Sequence, residues 1–299
     1  MMKKDIYTII TEQVIKGLEK TGLNWFKSWS ATDNLAINHV TGKAYTGINQ
    51  MLLGFDIVDN NYTTGEFMTF KQAQKLGGKV KKGSISHIVV FWNISYYILD
   101  GTKRVYFKRL EDVPAGEKAQ KSMSPRFYKV FNLDSIEGIS PKHDVAKVKE
   151  GTIFEPIERA DEVYKNMRKK PSLAHGGNRA FYRPLSHSIQ MPSQETFTTP
   201  DDYYKVFFHE LTHSTGHESI LNRGLVGSHG NKTKYSKEEL VAEMGALFLC
   251  GILDLNPKDS NDNSQAYING WIKYLKNHPK EILSASSKSR KAIEYILNK

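Results

Sequence analysis

Residues 207–217 read FFHELTHSTGH and contain the motif His209-Glu210-Leu211-Thr212-His213. Residues four apart in an α-helix lie on one face, so a helix brings the two histidines together. Two imidazoles placed in this way bind a divalent metal, and Glu210 lies beside them. Metal coordination lowers the pKa of a bound water toward ~7, and we expect Glu210 to accept its proton as the catalytic base. The motif predicts a metal-dependent hydrolase with His209 and His213 as ligands, on a helix over about residues 201–215.

A second helix, predicted over residues 236–253, supplies the third ligand. Ser236 is expected to be its N-cap, with Glu239 completing a capping box. Glu239 and Glu243 lie four residues apart and share a face. Three protein ligands and a water are typical of a catalytic zinc site. We assign Glu239 as the third ligand and Glu243 as the acceptor of a ligand histidine's N–H; the reverse assignment is the alternative. Zn²⁺ is the default metal for this gluzincin-like donor set, with Mn²⁺ or Co²⁺ as alternatives.

The charge of the chain is concentrated toward its N-terminus. The net charge of the 299 residues is +10, and residues 1–110 carry 15 Lys and Arg against 8 Asp and Glu. A basic third of this kind indicates a polyanionic partner, most simply nucleic acid, or a surface charged for solubility.

Proteins that bind single-stranded DNA combine cations along the phosphates with aromatic rings that stack on bases. The side chains predicted here to contact DNA are Tyr45, Lys71, Lys75, Lys79, Lys81, Lys82, Trp92, Arg104 and Lys108. Core packing is the alternative for the rings, and it is the expectation for Phe91. Because the sequence contains no base-reading motif, we expect little sequence specificity.

The pattern of elements predicts an α+β fold in two domains. The first, residues 1–140, is a small α+β unit. It has a helix that begins after Asp5 and ends at Gly22, and a short helix at 69–78. Its small antiparallel sheet has strands at 88–92, 96–99, 105–110 and 128–133, with 111–126 as an exposed loop. Residues 141–155 are a predicted linker. The second domain, residues 156–299, is mostly helical, with an extended stretch at 179–198 and helices near 156–169, 201–215, 236–253, 262–277 and 279–298.

The remaining composition argues for the cytoplasm. The mean hydropathy is −0.50, and the sequence lacks an apolar run near the ~20 residues that a membrane span requires. The N-terminus lacks the continuous apolar region of a signal peptide. The single cysteine, Cys250, excludes an intrachain disulfide and is expected in the core.

Several stretches resemble the ArdC family of antirestriction proteins. In the second half these are FFHELTHSTGHESILNR at 207–223, EELVAEMGALFLC at 238–250 and AYINGWIKYLKNHPKEIL at 266–283. In the first half they include DIYTIITEQVIKGLE, NHVTGKAYTGIN, TFKQAQKLGGKVKKG, IVVFW and YKVFNLDSIEG. The resemblance spans roughly residues 3–298, and residues 93–127 depart from it.

The resemblance implies an N-terminal domain that binds single-stranded DNA and a C-terminal zincin-like metallopeptidase domain. It also implies a protein of a plasmid or phage that protects incoming DNA from host restriction. A protein or peptide substrate is implied by the metal site without being identified. The alternative is a protein that coats single-stranded DNA passively and whose metal site is structural or vestigial.

Overall fold

The computed structural model describes residues 5–21, 35–142, 156–226, 232–255, 257 and 261–299. Its fold is α+β, which confirms the predicted class. The first half contains α1 (Ile6–Thr21), β1 (Ile37–Asn38), α2 (Ile48–Asn60), β2 (Glu66–Met68), α3 (Phe70–Lys75), β3 (Lys79–Val80), β4 (His87–Asp100), β5 (Lys103–Phe107), β6 (Gln120–Asn132) and β7 (Ile136–Glu137). The second half contains α4 (Pro156–Asn166), β8 (Ser172–His175), β9 (Phe181–Arg183), β10 (Ser188–Met191), α5 (Pro200–Ser214), α6 (Lys232–Ile252), α7 (Asn261–Asn277) and α8 (Glu281–Ile296).

Side chains cap the starts of two helices in the first half. The Asp5 carboxylate accepts a hydrogen bond from the backbone N–H of Thr8 at 2.8 Å, which satisfies a free donor at the start of α1. Thr69 forms a capping box with Gln72 at the start of α3. The predicted end of α1 at Gly22 lies outside the described residues.

The sheet of the first half has the strand order β1-β2-β6-β4-β5. The β1–β2 pair is parallel and the other pairs are antiparallel. The two strands predicted at 88–92 and 96–99 form one continuous strand, β4, whose far half pairs with both β5 and β6. Together these strands form an extended arm, residues 91–126, at the end of the sheet.

The prediction that residues 111–126 form a loop is wrong for its last seven residues. Residues 120–126 belong to β6 and pair with β4, with Gln120 opposite Tyr97 and Pro125 opposite Trp92. Both faces of the arm carry exposed side chains, so the segment QKSMSPR has none of the apolar alternation that marks a half-buried strand. Pairing with β4, rather than burial, keeps it extended.

The second half also departs from expectation at two places. Helix α6 begins at Lys232, so Ser236 lies inside it and is not the N-cap. Residues 232–235 contain neither Gly nor Pro, and this allows the helix to extend one turn further back. Strand β8 was not predicted, because its short sequence, SLAH, carries no strand periodicity; it pairs in parallel with β10 in a three-stranded sheet of order β8-β10-β9.

One hydrophobic core joins the two predicted domains. Ile10 and Val14 of α1 belong to the same buried cluster as Leu275 and Ile282 near the C-terminus. The hydroxyl of Thr11 donates to the carbonyl of Pro279 at 2.6 Å. Of the predicted linker, residues 143–155 lie outside the described part of the chain. Cys250 is buried in this core, as expected.

Among the described residues, the structure contains no helix that is both long enough and apolar enough to cross a membrane.

Helices α5 and α6 approach closely where Gly245 faces Thr212. A Cβ atom built on Gly245 would lie 2.5 Å from Oγ1 and 2.6 Å from Cγ2 of Thr212, whose side chain is fully buried. Gly245→Ala is therefore expected to lower the free energy of unfolding by about 1–3 kcal/mol, the usual cost of overpacking. Chemical denaturation measures this loss.

Gly270→Ala on α7 is the matched control. Its Cβ would enter open space, so this helical substitution is expected to be neutral or to stabilise the protein by up to about 1 kcal/mol. Equal stabilities of the two variants would show that the α5–α6 contact tolerates a methyl group.

Candidate metal centre and nucleic-acid interface

Helix α5 presents both histidines of the motif to one point. The helix starts at Pro200 with a capping box between Thr199 and Asp202. Buried aromatic residues of α5, among them Phe207 and Phe208, anchor it in the core. The Nε2 atoms of His209 and His213 lie 3.1 Å apart.

Glu239 of α6 completes a group of three ligand atoms. Its carboxylate lies 3.4 Å from Nε2 of His209 and 3.4 Å from Nε2 of His213. The three ligand atoms all lie within 4.8 Å of one another. Atoms bound to one ion at ~2.0–2.1 Å and at tetrahedral angles are about 3.3 Å apart, so this donor set fits a divalent metal.

The Nδ1 atoms of the two histidines face carboxylates on α6. Nδ1 of His209 lies 3.0 Å from Glu243. Nδ1 of His213 lies 3.3 Å from Glu238. An Nδ1–H that donates to a carboxylate leaves the lone pair of Nε2 available to a metal.

Glu238 and its partner Arg223 were missed from the sequence. Arg223 pairs with Glu238 at 2.6 Å, and only 5% of its side chain is exposed. Glu238 directly precedes Glu239, and neighbouring residues point about 100° apart around a helix. Spacing along one helix face therefore selects Glu239 and Glu243 and leaves Glu238 out. Arg223 lies in the glycine-rich connection between α5 and α6, where the sequence shows no periodicity.

Charges within the site shift several pKa values. Burial opposes protonation of His209, but hydrogen bonds to Glu239 and Glu243 outweigh it and raise the pKa of His209 to about 10. Burial alone would raise the pKa values of Glu239 and Glu243. Their hydrogen bonds to the histidines outweigh burial and lower both pKa values. Hydrogen bonds and opposite charges between the histidines and the carboxylates therefore stabilise the arrangement of these side chains.

Glu210 is buried beside the histidines, with 8% of its surface exposed. Burial raises its pKa above the ordinary value of a glutamate, as a proton acceptor at neutral pH requires. The backbone of Tyr182 in β9, an edge strand of the three-stranded sheet, acts to lower this pKa but does not outweigh burial.

Apart from Trp92, which lies on β4, the residues predicted to contact DNA fall into three groups. Lys71, Lys75, Lys79, Lys81 and Lys82 are exposed on α3, β3 and the turn that follows β3. Arg104 and Lys108 are exposed at β5. Tyr45 is half-buried against the core cluster of the first sheet, and its burial raises its pKa to about 12.

One face of the arm combines exposed rings with arginines. Strand register places Phe91 opposite Arg126, Val89 opposite Tyr128, and Tyr97 opposite Tyr106. The rings of Phe91 and Tyr128 lie 5.7 Å apart, and those of Tyr97 and Tyr106 lie 5.6 Å apart. The guanidinium of Arg104 lies 4.7 Å from the centre of the Tyr97 ring. We call these residues the aromatic face; its members are Phe91, Tyr97, Arg104, Tyr106, Arg126 and Tyr128.

Two predictions about rings change with this arrangement. Phe91 is 43% exposed, so the expectation that it packs in the core is wrong. Strand β4 continues past Phe91 into the arm, which extends beyond the core residues that would otherwise cover the ring. Trp92 is 38% exposed, but alternation along β4 puts it on the face opposite Phe91, together with Phe127.

Two family models match the chain in succession. Residues 4–132 match the N-terminal domain of the anti-restriction factor ArdC, and residues 158–288 match a zincin-like metallopeptidase domain.

Similar proteins cover the whole chain. The crystal structure of the antirestriction ArdC protein from plasmid R388 with Mn(II) bound is similar over 99% of this chain and 98% of its own, with a TM-score of 0.73 and 29% identity. Its metal-free structure gives a TM-score of 0.71 and 28% identity, covering 98% and 97% of the two chains.

Two curated relatives are also similar. The uncharacterized protein y4eC of Sinorhizobium fredii (strain NBRC 101917 / NGR234) is 28% identical over 98% of this chain and 91% of its own. A DNA primase TraC of Escherichia coli is 32% identical over 99% of this chain, which spans only 20% of that protein. The chain therefore carries the N-terminal domain of the anti-restriction factor ArdC followed by a zincin-like metallopeptidase domain, and a solved ArdC structure is similar to it over 99% of its length.

Proposed function

We propose that the second half of the chain is a metallopeptidase whose metal ligands are His209, His213 and Glu239. The observation that carries this proposal is the convergence of these three side chains, with Glu210 buried beside them. A purely structural metal site has no need of the Glu210 carboxylate, which is not one of the three ligands. Zn²⁺ is the default metal, and Mn²⁺ or Co²⁺ suits the same donors.

Each protein group then has a definite part in peptide hydrolysis. Glu243 and Glu238 hold the Nδ1–H of His209 and His213, so both Nε2 atoms stay directed at one point. When bound, the metal supplies a Lewis acid that polarises a carbonyl and makes water acidic. Glu210 accepts the proton of the attacking water at its carboxylate and passes it to the leaving amine. Strand β9 lies at an edge of its three-stranded sheet, where an extended peptide can add as a further strand.

We infer that the first half binds single-stranded DNA without sequence preference. The aromatic face offers rings for stacking, and its arginines provide charge for phosphates. The exposed lysines of α3 and β3 extend the basic surface. Tyr45 and Lys108 remain proposed contacts from the sequence, whereas Trp92 is a proposed contact only for a strand bound on the opposite face of the arm.

Together these parts support an antirestriction role in the cytoplasm of a bacterium that receives plasmid or phage DNA. The ArdC protein of plasmid R388 is itself named as an antirestriction protein. Protection would begin on the single-stranded form of the incoming DNA. The second candidate is passive coating, in which the first half alone protects the DNA; the intact, buried Glu210 argues against it.

A plasmid-transfer assay tests this role. An unmethylated plasmid is transferred by conjugation into a restricting recipient with and without the chain. We expect the chain to raise the recovery of transconjugants in that host and to leave it unchanged in a recipient without the restriction enzyme.

Glu210→Ala separates the two candidates, because it removes the proton acceptor and leaves the first half unchanged. Loss of protection in this variant supports the hydrolytic role. Full protection by the variant would instead support passive coating, and no protection by the unmodified chain would contradict the antirestriction role.

A further inference from the structure

Arg223 connects three parts of the protein around the metal centre. Its guanidinium donates to the carbonyl of Thr212 at 2.7 Å and to the hydroxyl of Thr215 at 2.7 Å. It also makes a two-pronged contact with the carboxylate of Glu238, at 2.6 Å to Oε1 and 3.0 Å to Oε2. One buried side chain thus joins the last turn of α5, the connection that follows it, and α6.

The Arg223–Glu238 ion pair contacts His213, one of the proposed metal ligands. Oε1 of Glu238, which receives the shortest Arg223 contact, lies 3.3 Å from Nδ1 of His213. Because Arg223 fixes both oxygens of the carboxylate, Glu238 cannot turn away from the ring without breaking a charged hydrogen bond. The orientation of His213 therefore depends on the Arg223–Glu238 pair.

The surrounding chain is shaped to admit this arginine. A Cβ atom on Gly216 would lie 3.0 Å from Nη2 of Arg223 and 2.8 Å from Cδ1 of Leu225. The carbonyl of Thr212, in the last turn of α5, also accepts from the backbone N–H of Thr215 at 3.2 Å and from its hydroxyl at 2.6 Å, so the arginine adds a further, charged donor at this end of the helix. A cation is favourable there because the negative end of the helix dipole faces it.

We propose that Arg223 and Glu238 are positioning residues of the metal centre, which act through His213. The inference rests on the proposed metal site at His209, His213 and Glu239. Each ligand histidine then has its own carboxylate: Glu243 for His209 and Glu238 for His213. The second of these is held by an arginine that comes from outside both helices.

Zinc affinity of the full-length protein tests the proposal. The dissociation constant for Zn²⁺ is measured by competition with a chelator, and the absorption spectrum of the Co²⁺-loaded protein reports the ligand geometry. Loss of a partner of this kind weakens metal binding by about 10–100-fold. We expect Glu238→Gln to weaken Zn²⁺ binding by about 10-fold or more and to shift the Co²⁺ spectrum.

A double variant separates positioning from stability. Replacing a buried ion pair by apolar side chains of similar size is often neutral for folding. We therefore expect Arg223→Met with Glu238→Leu to keep the melting temperature of the metal-free protein and to bind Zn²⁺ about 10–100-fold more weakly. If this variant does not fold, Glu238→Gln decides.

Lys237→Met is the matched control, because it breaks the neighbouring ion pair of α6, Lys237–Glu281 at 2.6 Å, and leaves His213 untouched. The control is expected to bind Zn²⁺ like the unmodified protein. If Glu238→Gln and the double variant also do so, the positioning role is overturned while the metal site stands. If the unmodified protein binds neither Zn²⁺ nor Co²⁺, the proposed function fails and this inference falls with it.

Discussion

Glu210→Ala is expected to keep one metal ion per chain and to lose peptide hydrolysis by a factor of about 10²–10⁴, the usual contribution of general acid–base catalysis. The carboxylate of Glu210 handles the proton, whereas the ion is held by His209, His213 and Glu239. His209→Ala or His213→Ala should instead abolish stoichiometric metal binding, because two remaining ligands do not define a geometry. Metal content is measured by elemental analysis, and hydrolysis is measured by mass spectrometry on a mixed peptide library.

The matched control is Glu218→Ala, which removes an exposed glutamate just beyond α5. It should retain both metal and hydrolysis. A fall in metal content in Glu210→Ala as large as that in His209→Ala would show that Glu210 is a ligand.

The same measurements rank the two carboxylates of α6. Glu239→Ala should resemble the histidine variants, because its oxygens lie 3.4 Å from both Nε2 atoms. Glu243→Ala should be milder, since Glu243 contacts the opposite nitrogen of His209. The reverse order would exchange the two roles.

Phe91→Ala and Tyr128→Ala are each expected to weaken binding of single-stranded DNA by ~1–3 kcal/mol if their rings stack on bases. Both rings lie on the aromatic face and are exposed by 43% and 38%. Full-length protein is the appropriate sample, because α1 packs into the core of the second half. Binding is measured by fluorescence anisotropy with labelled oligonucleotides, and a melting curve for each variant excludes unfolding as the cause.

Phe127→Ala is a close control for this prediction. Phe127 is 41% exposed and adjacent to Tyr128, but it lies on the other face of β6. Its removal should leave the affinity unchanged. If Phe127→Ala and Trp92→Ala weaken binding while Phe91→Ala does not, the DNA lies on the opposite face of the arm.

Salt dependence tests the electrostatic part of the same interface. Each phosphate contact contributes a slope of about −0.7 to the plot of log affinity against log salt for a single strand. Charge reversal at Arg104 and Arg126, or at Lys79, Lys81 and Lys82, should flatten this slope and weaken binding to all sequences alike. Affinity that does not change between about 50 and 200 mM salt, or a preference for duplex, would contradict the proposal.

Most helices of the second half could be predicted because the sequence signals that indicate them lie within a few neighbouring residues. The spacing of His209 and His213 acts within about one turn of the helix. The beginning of α6 was misplaced because a capping-box sequence at Ser236 occurs inside a helix that tolerates it.

Residues 120–126 of the arm and the Arg223–Glu238 pair could not be predicted for a different reason. Residues 120–126 are kept extended by pairing with the distant strand β4, and most of their side chains are exposed, so no hydrophobic alternation marks them. Arg223 reaches Glu238 from a connection whose course is set only when α5 and α6 are packed together. Contacts of this kind depend on tertiary structure, which single-sequence patterns do not contain.

Anomalous diffraction from crystals of the metal-loaded protein tests the central claim most directly. Data collected at the absorption edge of the bound metal locate the ion independently of any assumed ligand. The account predicts one strong peak at ~2.0–2.2 Å from Nε2 of His209, Nε2 of His213 and the carboxylate of Glu239, with Glu243 and Glu238 on the opposite ring nitrogens. A peak coordinated by Glu243 instead of Glu239, or no peak beside the two histidines, would contradict it.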